Sequence, residues 1–370
     1  MRRSKLCCAL LLALLSGCSD RQNVEDVTFA LMVGIDLDEE DRLVYFLSSP
    51  VFSREARKKE EHFEVHTETL RSSREEFDRR VVAMSMGGKV QSLLLGKRLL
   101  RHKGWFELLD PLYRDNKNTV LALAVLVDGP VSELMDLSPK DKPRLPTYVT
   151  ELISTAKRRN ITMATTLQEL HRQMYDKAMT PSITQLKVED DHLNLMGTAL
   201  LKEDGRYAIT LNPSENKLFA LLYPHRNGIF PFTFTNPSQP SDGFFKHNLL
   251  SFTATGISTK TKSSFVDGRF RFDVQVKLKI SFSELLFPIK VEKQGKELEK
   301  QIEREFEKQY DKLFAKMQQA KVDPIGFGFY ARARQYRQWK EVREHWEEAF
   351  SDAEVNVKVK VKIMAMGATR

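Results

Sequence analysis

Cys18 carries the clearest chemistry in the chain. It follows Leu15-Ser16-Gly17, and the stretch before it opens on Arg2, Arg3 and Lys5. An apolar segment, Leu6 to Leu15, comes next, broken only by Cys7, Cys8 and two alanines. A basic start, a short apolar run and small residues before a cut describe a secretory signal peptide. Leu-Ser-Gly-Cys resembles a bacterial lipobox, where the cysteine sulfur is diacylated and the chain is cut just before it. The reaction needs a thiol as nucleophile and small neighbours that let a peptidase seat the backbone. The apolar run falls short of the roughly 18–20 residues that span hydrocarbon. The expectation is a signal peptide over 1–17, a lipidated tether over 18–26 and an extracytoplasmic remainder. Two acyl chains suffice for stable anchoring, at about 0.8 kcal/mol per buried methylene.

No other residue set offers comparable chemistry. Cys7, Cys8 and Cys18 are the three cysteines, so cleavage leaves no thiol for a disulfide, a metal or catalysis. His62 and His66 are four apart but lack the His-Glu-x-x-His order of a zinc helix. Asp36 to Asp41 is acidic without EF-hand spacing or its central glycine, and reads as a solvated hairpin turn. Gly326 and Gly328 flank Phe327 without the lysine of a phosphate loop, and suggest a tight loop that tucks the ring into a core. There is no Gly-x-Ser-x-Gly and no Ser-x-x-Lys. The reading is therefore no catalytic residue, no cofactor and no metal. Losing the leader lowers the formal net charge from +8 to +5, because Arg2, Arg3 and Lys5 leave. That modest excess suits a protein near anionic lipid and does not suggest nucleic acid.

Elements of both periodicities must position these residues. Val27–Ile35 and Arg42–Val51 read as strands, Phe63–Thr67 as a third. A helix capped at Ser72 or Ser73 is expected to run to Met86 and stop at Gly87-Gly88. Val90–Leu95 and the unbroken Val120–Val127 read as strands, with a helix over Trp105–Tyr113 between them. Residues 137–146, with three prolines, form a candidate linker. Helices over Thr147–Arg159 and Thr166–Met179 follow, then paired strands Ile183–Val188 and Leu193–Leu201, Tyr207–Leu211, and a helix opened by Asn212-Pro213. Residues 224–243 read as a second linker. Leu249–Thr259 and Arg269–Phe282 alternate as half-exposed strands. Glu292–Gln319 is one long helix whose stripe Leu298, Ile302, Phe306, Tyr310, Leu313 and Met317 steps by three and four, best laid across a sheet. A basic helix with Trp339 and Trp346 leads to a last strand, Val355–Ile363, whose lysines would protect an edge. The fold class is α+β: three mixed domains, 27–136, 137–225 and 226–370, the last a long helix on an antiparallel sheet.

Three stretches of this pattern resemble the Ger(x)C family, the C-subunit lipoproteins of bacterial spore germinant receptors. They are Ala30-Leu31-Met32-Val33-Gly34-Ile35-Asp36, Gly197-Thr198-Ala199-Leu200, and the C-terminal run from the long helix through Asp323 and Gly326-Phe327-Gly328 to Trp339, Trp346, Phe350 and Lys362. Trp105–Arg114 fits the family loosely, and the charged loop 53–61 has no clear counterpart. The resemblance implies three α+β domains and a lipid anchor, Cys18, on the outer face of the spore inner membrane. It also implies no catalytic residues, and two integral-membrane partners, an A and a B subunit. The function expected is a non-catalytic, lipid-anchored subunit in receptor assembly and germination signalling. The alternative is an extracytoplasmic solute-binding lipoprotein with a cleft between two similar lobes; a membrane-anchored hydrolase lacks a site. An assembly subunit should expose apolar or aromatic residues, here sought on Phe329–Phe350 and around Ile229–Phe234.

Overall fold

The computed structural model describes residues 27–81, 83–138, 141–223, 228–235, 248–287 and 291–365. Cys18, the leader and the tether lie outside them. The first apolar run forms two strands, β1 (Val27–Phe29) and β2 (Met32–Leu37), because the chain changes partners between them. Ala30 N–H donates to Met86 O, whereas Leu31 N–H donates to Ser48 O. After β3 (Leu43–Pro50) and β4 (Glu60–His66), helix α1 spans Leu70–Asp78. Its cap is Thr69, paired reciprocally with Ser72, so the helix starts earlier than expected. It also ends earlier. Asp78 accepts the Ser85 N–H at 2.8 Å, and Met84–Met86 becomes β5, parallel to β1, instead of a last helical turn.

The next elements are β6 (Ser92–Gly96), a 3-10 turn at Phe106–Leu109, α2 (Asp110–Arg114), β7 (Leu123–Val127) and α3 (Val131–Met135). Then come α4 (Leu145–Arg158), α5 (Leu167–Tyr175), β8 (Ser182–Glu189), β9 (His192–Leu201), β10 (Tyr207–Leu211) and α6 (Pro213–Leu222). Strands from 27–136 and from 137–225 join one eight-stranded sheet, ordered β10-β9-β8-β7-β6-β2-β3-β4. The four middle strands are parallel, and an antiparallel pair closes each side. Continuous apolar runs serve this sheet because both faces are covered. Val33, Leu93, Leu95 and Leu126 pack with Phe77 and Trp105 on one side. Met32, Leu94, Val125 and Val127 pack with Val131, Val149 and Ile153 on the other.

The second sheet is β11-β12-β13-β14. Strand β11 (Phe230–Thr235) lies inside the stretch expected as a linker. Pro231 disguises it, and is tolerated because β11 is an edge strand. The hairpin β12 (Leu249–Val266) and β13 (Arg269–Leu285) is longer than its sequence signal. Helix α7 (Val291–Gln319) lies on this sheet, and all six stripe residues from Leu298 to Met317 are buried. The basic stretch is not one helix but α8 (Phe327–Arg334), α9 (Tyr336–Val342), a 3-10 turn and α10 (Trp346–Ser351). This helical segment, with α7, carries the chain back, so β14 (Glu354–Ala365) runs parallel to β13 and the sheet is mixed, not antiparallel. Along the β14 edge, three glutamates of α7 accept backbone N–H groups: Glu307 from Val359, Glu303 from Val361 and Glu299 from Ile363, at 2.8–3.1 Å. Helix carboxylates, more than lysines, thus close the edge. The chain is α+β, and its two larger sheets differ in strand number and order, unlike a pair of similar lobes.

Candidate interaction surface

Each of the three motif stretches centres on one buried polar side chain that ties distant segments together. Asp36 was expected in a solvated turn, yet it is buried at the end of β2. Its carboxylate accepts the Val131 N–H at 2.9 Å and the Leu37 N–H at 2.8 Å. Burial pushes this carboxyl up, against the pull of those two donors and of Arg98. A Cβ at Gly96 would collide with Asp36, which accounts for glycine there. In the middle stretch, Thr198 accepts from Met163 N–H and donates to Asn216 Oδ1, whose amide in turn donates to Asn160 O. Gly197, at φ +126°, sits where a Cβ would strike the Leu211 carbonyl.

The third anchor is Asp323, fully buried after α7. It accepts from Gly326 N–H at 2.9 Å, Gly328 N–H at 3.1 Å and Trp346 Nε1 at 2.9 Å. Its own carbonyl accepts the Thr180 N–H, linking this loop to the segment before β8. Burial pushes the carboxyl up to about 6, while the indole and backbone donors pull it down. It is ionised at neutral pH, the form three donors require. Phe327 is thereby set into the core against Phe272 and Phe350, as its flanking glycines suggested. These three anchors are structural clamps with no access for a substrate.

The surface with binding character lies at the junction of α5 with α8 and α9. Arg332 pairs with Asp176 at 3.1 Å. Its guanidinium lies 5.1 Å from the Phe329 ring centre and 5.5 Å from that of Trp339. Arg172, Tyr175, Lys177, Arg343 and Glu344 complete an open groove around them. Tyr175 is 67% exposed there, and Tyr336, a ring neighbour of Trp339, is 54% exposed. The Trp339 indole N–H is sealed from solvent and has no acceptor among the described residues. An orphaned buried donor is costly, and a bound acceptor would remove that cost.

Of the residues sought as an exposed surface, most are core. Trp339, Trp346 and Phe350 are buried, as are Phe230, Phe232 and Phe234, the last two packing their rings on Phe306. Ile229 and Tyr336 remain exposed. Tyr175 and Arg172 carry no local signal of this role, because only the fold brings α5 to α8. His62 meets Glu60 and His66 meets Asp38 and Glu64, each pair apart from the other. Among the described residues no group of three or more His, Cys, Asp or Glu is placed to hold a metal. No described helix is long and apolar enough to cross a membrane. A separate, mostly apolar cavity of about 360 Å³ lies under α1, lined by Leu47, Leu70, Phe77 and Met86, with the Arg74–Asp115 pair at 3.2 Å.

Fold and surface define an α+β protein of two large sheets clamped by buried polar residues, with a groove rich in Tyr, Trp and Arg. Residues 20–188 match the family model described as the spore germination protein N-terminal domain. Residues 196–367 match the one described as spore germination B3/GerAC like, C-terminal. The chain belongs to the Ger(x)C family of spore germination proteins. Spore germination protein A3 of Bacillus subtilis (strain 168) is 24% identical over 387 residues, covering 98% of this chain and 97% of that protein. The fold matches the crystal structure of the GerBC protein, with a TM-score of 0.57 over 90% of this chain and 96% of that chain at 16% identity.

Proposed function

We propose that this chain is the non-catalytic, lipid-anchored C subunit of a nutrient germinant receptor. It is held by diacylated Cys18 on the outer face of the spore inner membrane. It assembles there with A and B integral-membrane subunits and takes part in germination signalling. The observation that carries this reading is the pair of family matches, which leave only short segments of the chain uncovered. The groove between α5, α8 and α9 supports a role in assembly. Tyr, Trp and Arg are the residues that dominate binding energy at protein interfaces, and here Arg332 is held between two rings.

Affinity isolation of the tagged chain from detergent-solubilised spore membranes, followed by mass spectrometry, tests the proposal. Recovery of a transporter-like membrane protein together with a second large membrane subunit is the expected result. Recovery of the lipoprotein alone in mild detergent would sink it. Mass spectrometry of the same isolate should find Cys18 as a diacylated N-terminal residue, and an unmodified Cys18 thiol would refute the acyl anchor.

A further inference from the structure

The second sheet leaves one face uncovered, and that face is basic. Along β13 the even-numbered residues from Phe270 to Phe282 are buried, so Lys277 and Lys279 point the other way. On β12, Lys260 stands opposite Gln275 and Lys262 opposite Asp273, on the same side. On β14, Lys358, Lys360 and Lys362 share it. Lys277 is directly beside Lys360, and Lys279 beside Lys362. Neighbouring strands lie about 4.8 Å apart, so these ammonium groups crowd one another. Like charges side by side on a sheet weaken it, and nothing in the packing asks for them.

Few carboxylates answer this charge. Asp273 and Glu354 lie on the face and are drawn to Arg271. Glu284 lies at the far end, hydrogen-bonded to Ser251. Glu303 and Glu307 reach Lys360 and Lys358 from the β14 edge. Among the described residues, Lys260, Lys262, Lys277, Lys279 and Lys362 form no ion pair, and all five are exposed. The hairpin turns at exposed Asp267-Gly268, flanked by exposed Phe265 and Val266 and by Arg269.

We infer that this sheet face rests on an anionic lipid surface. The chemistry favours a bilayer over an acidic protein. Lysine is a compact, hydrated point charge on a flexible stem, without the planar fork that fixes a specific carboxylate. Lysine is depleted in protein interfaces, and this face carries no Tyr or Trp anchor. A flat array of mobile cations suits a plane of mobile phosphates. The turn itself is Asp267-Gly268, so contact with the headgroup layer falls to its flanks, Phe265, Val266 and Arg269. The inference rests on the residues of this face and holds whether or not Cys18 is acylated.

The test uses the chain beginning at Ser19, which keeps every described residue, with Lys277→Glu/Lys279→Glu as its variant. Co-sedimentation is measured with vesicles of phosphatidylglycerol in phosphatidylcholine and of phosphatidylcholine alone, at low and at physiological salt. The parent should bind the anionic vesicles only, more weakly as salt screens the attraction. The variant should lose about tenfold or more in that binding. Its melting temperature should hold or rise, since each new Glu faces a Lys across the strand. Unchanged binding by the variant, or a parent that ignores phosphatidylglycerol but is retained by immobilised polyglutamate, would overturn the inference. A drop in melting temperature would assign these lysines to the fold instead. Because Cys18 is absent from the assay, failure of the anchor and failure of this face are read separately.

Discussion

The two sheets solve the same problem in opposite ways. In the eight-stranded sheet, successive residues of one strand enter different cores: Leu94 goes to one side and Leu95 to the other, both fully buried. In the four-stranded sheet, successive residues of β13 divide between a core and solvent. The middle strands of the first sheet have no free face, so what they offer a partner must come through neighbouring loops and helices, as with Tyr175. The second is covered on one face by α7 and its edge is closed by glutamates, which leaves one broad face unused by folding. That contrast separates a scaffold from a surface, and it can be attacked by mutation.

The largest effect should come at the joint between the two. Asp323→Ala leaves the Gly326 and Gly328 N–H groups and the Trp346 indole without their acceptor. A loss of about 3–5 kcal/mol is expected in chemical denaturation. Asp323→Asn keeps one acceptor and should cost less. It should also remove a pH dependence. The folded carboxyl titrates at about 6 and the unfolded one near its ordinary 3.8. Between those values the folded chain holds a proton that the unfolded chain has released, so this group stabilises the fold as pH falls through that window. The contribution is lost as pH rises through about 6, with a limiting slope of about 1.4 kcal/mol per pH unit. If Asp323→Asn retains the parent's slope, another group is responsible.

The faces themselves can be compared next. Leu94→Ser and Leu95→Ser should each cost about 3 kcal/mol, because both sides of β6 are core. Leu278→Ser should cost as much, whereas Lys277→Ser, one residue away, should change stability by less than about 0.5 kcal/mol. Equal losses at Leu278 and Lys277 would mean that the outer face is covered in the isolated protein, and the contrast between the sheets would fall.

The same contrast explains what the sequence revealed. Strict alternation over Arg269–Phe282 and the stripe from Leu298 to Met317 each encode a single buried face, so their strand and helix were legible. The run at Val120–Val127 announced a doubly covered strand without naming its neighbours. Pairing of β2 with β6 and of β7 with β8 is settled by contacts far apart in sequence. Strand β11 was hidden by Pro231, whose cost an edge position removes. Asp36 was hidden by its acidic neighbours, since burial depends on Val131, far along the chain. The groove escaped for the same reason: Tyr175 and Arg172 meet Arg332 and Trp339 only through the fold.

The smallest effect tests the closed edge. Glu303 accepts the Val361 N–H at 2.9 Å and meets Lys360 at 3.1 Å. Lys360 is largely exposed, so the ion pair contributes little and the hydrogen bond carries the role. Glu303→Gln keeps an oxygen acceptor and should be close to neutral. Glu303→Ala opens the N–H and should cost about 1 kcal/mol. An uncovered strand edge also templates pairing with other chains. The alanine variant should therefore self-associate with rising concentration in sedimentation, while the glutamine variant stays as the parent. If both variants associate alike, charge at the edge matters more than the acceptor, and the lysines of β14 regain the protective role first read for them.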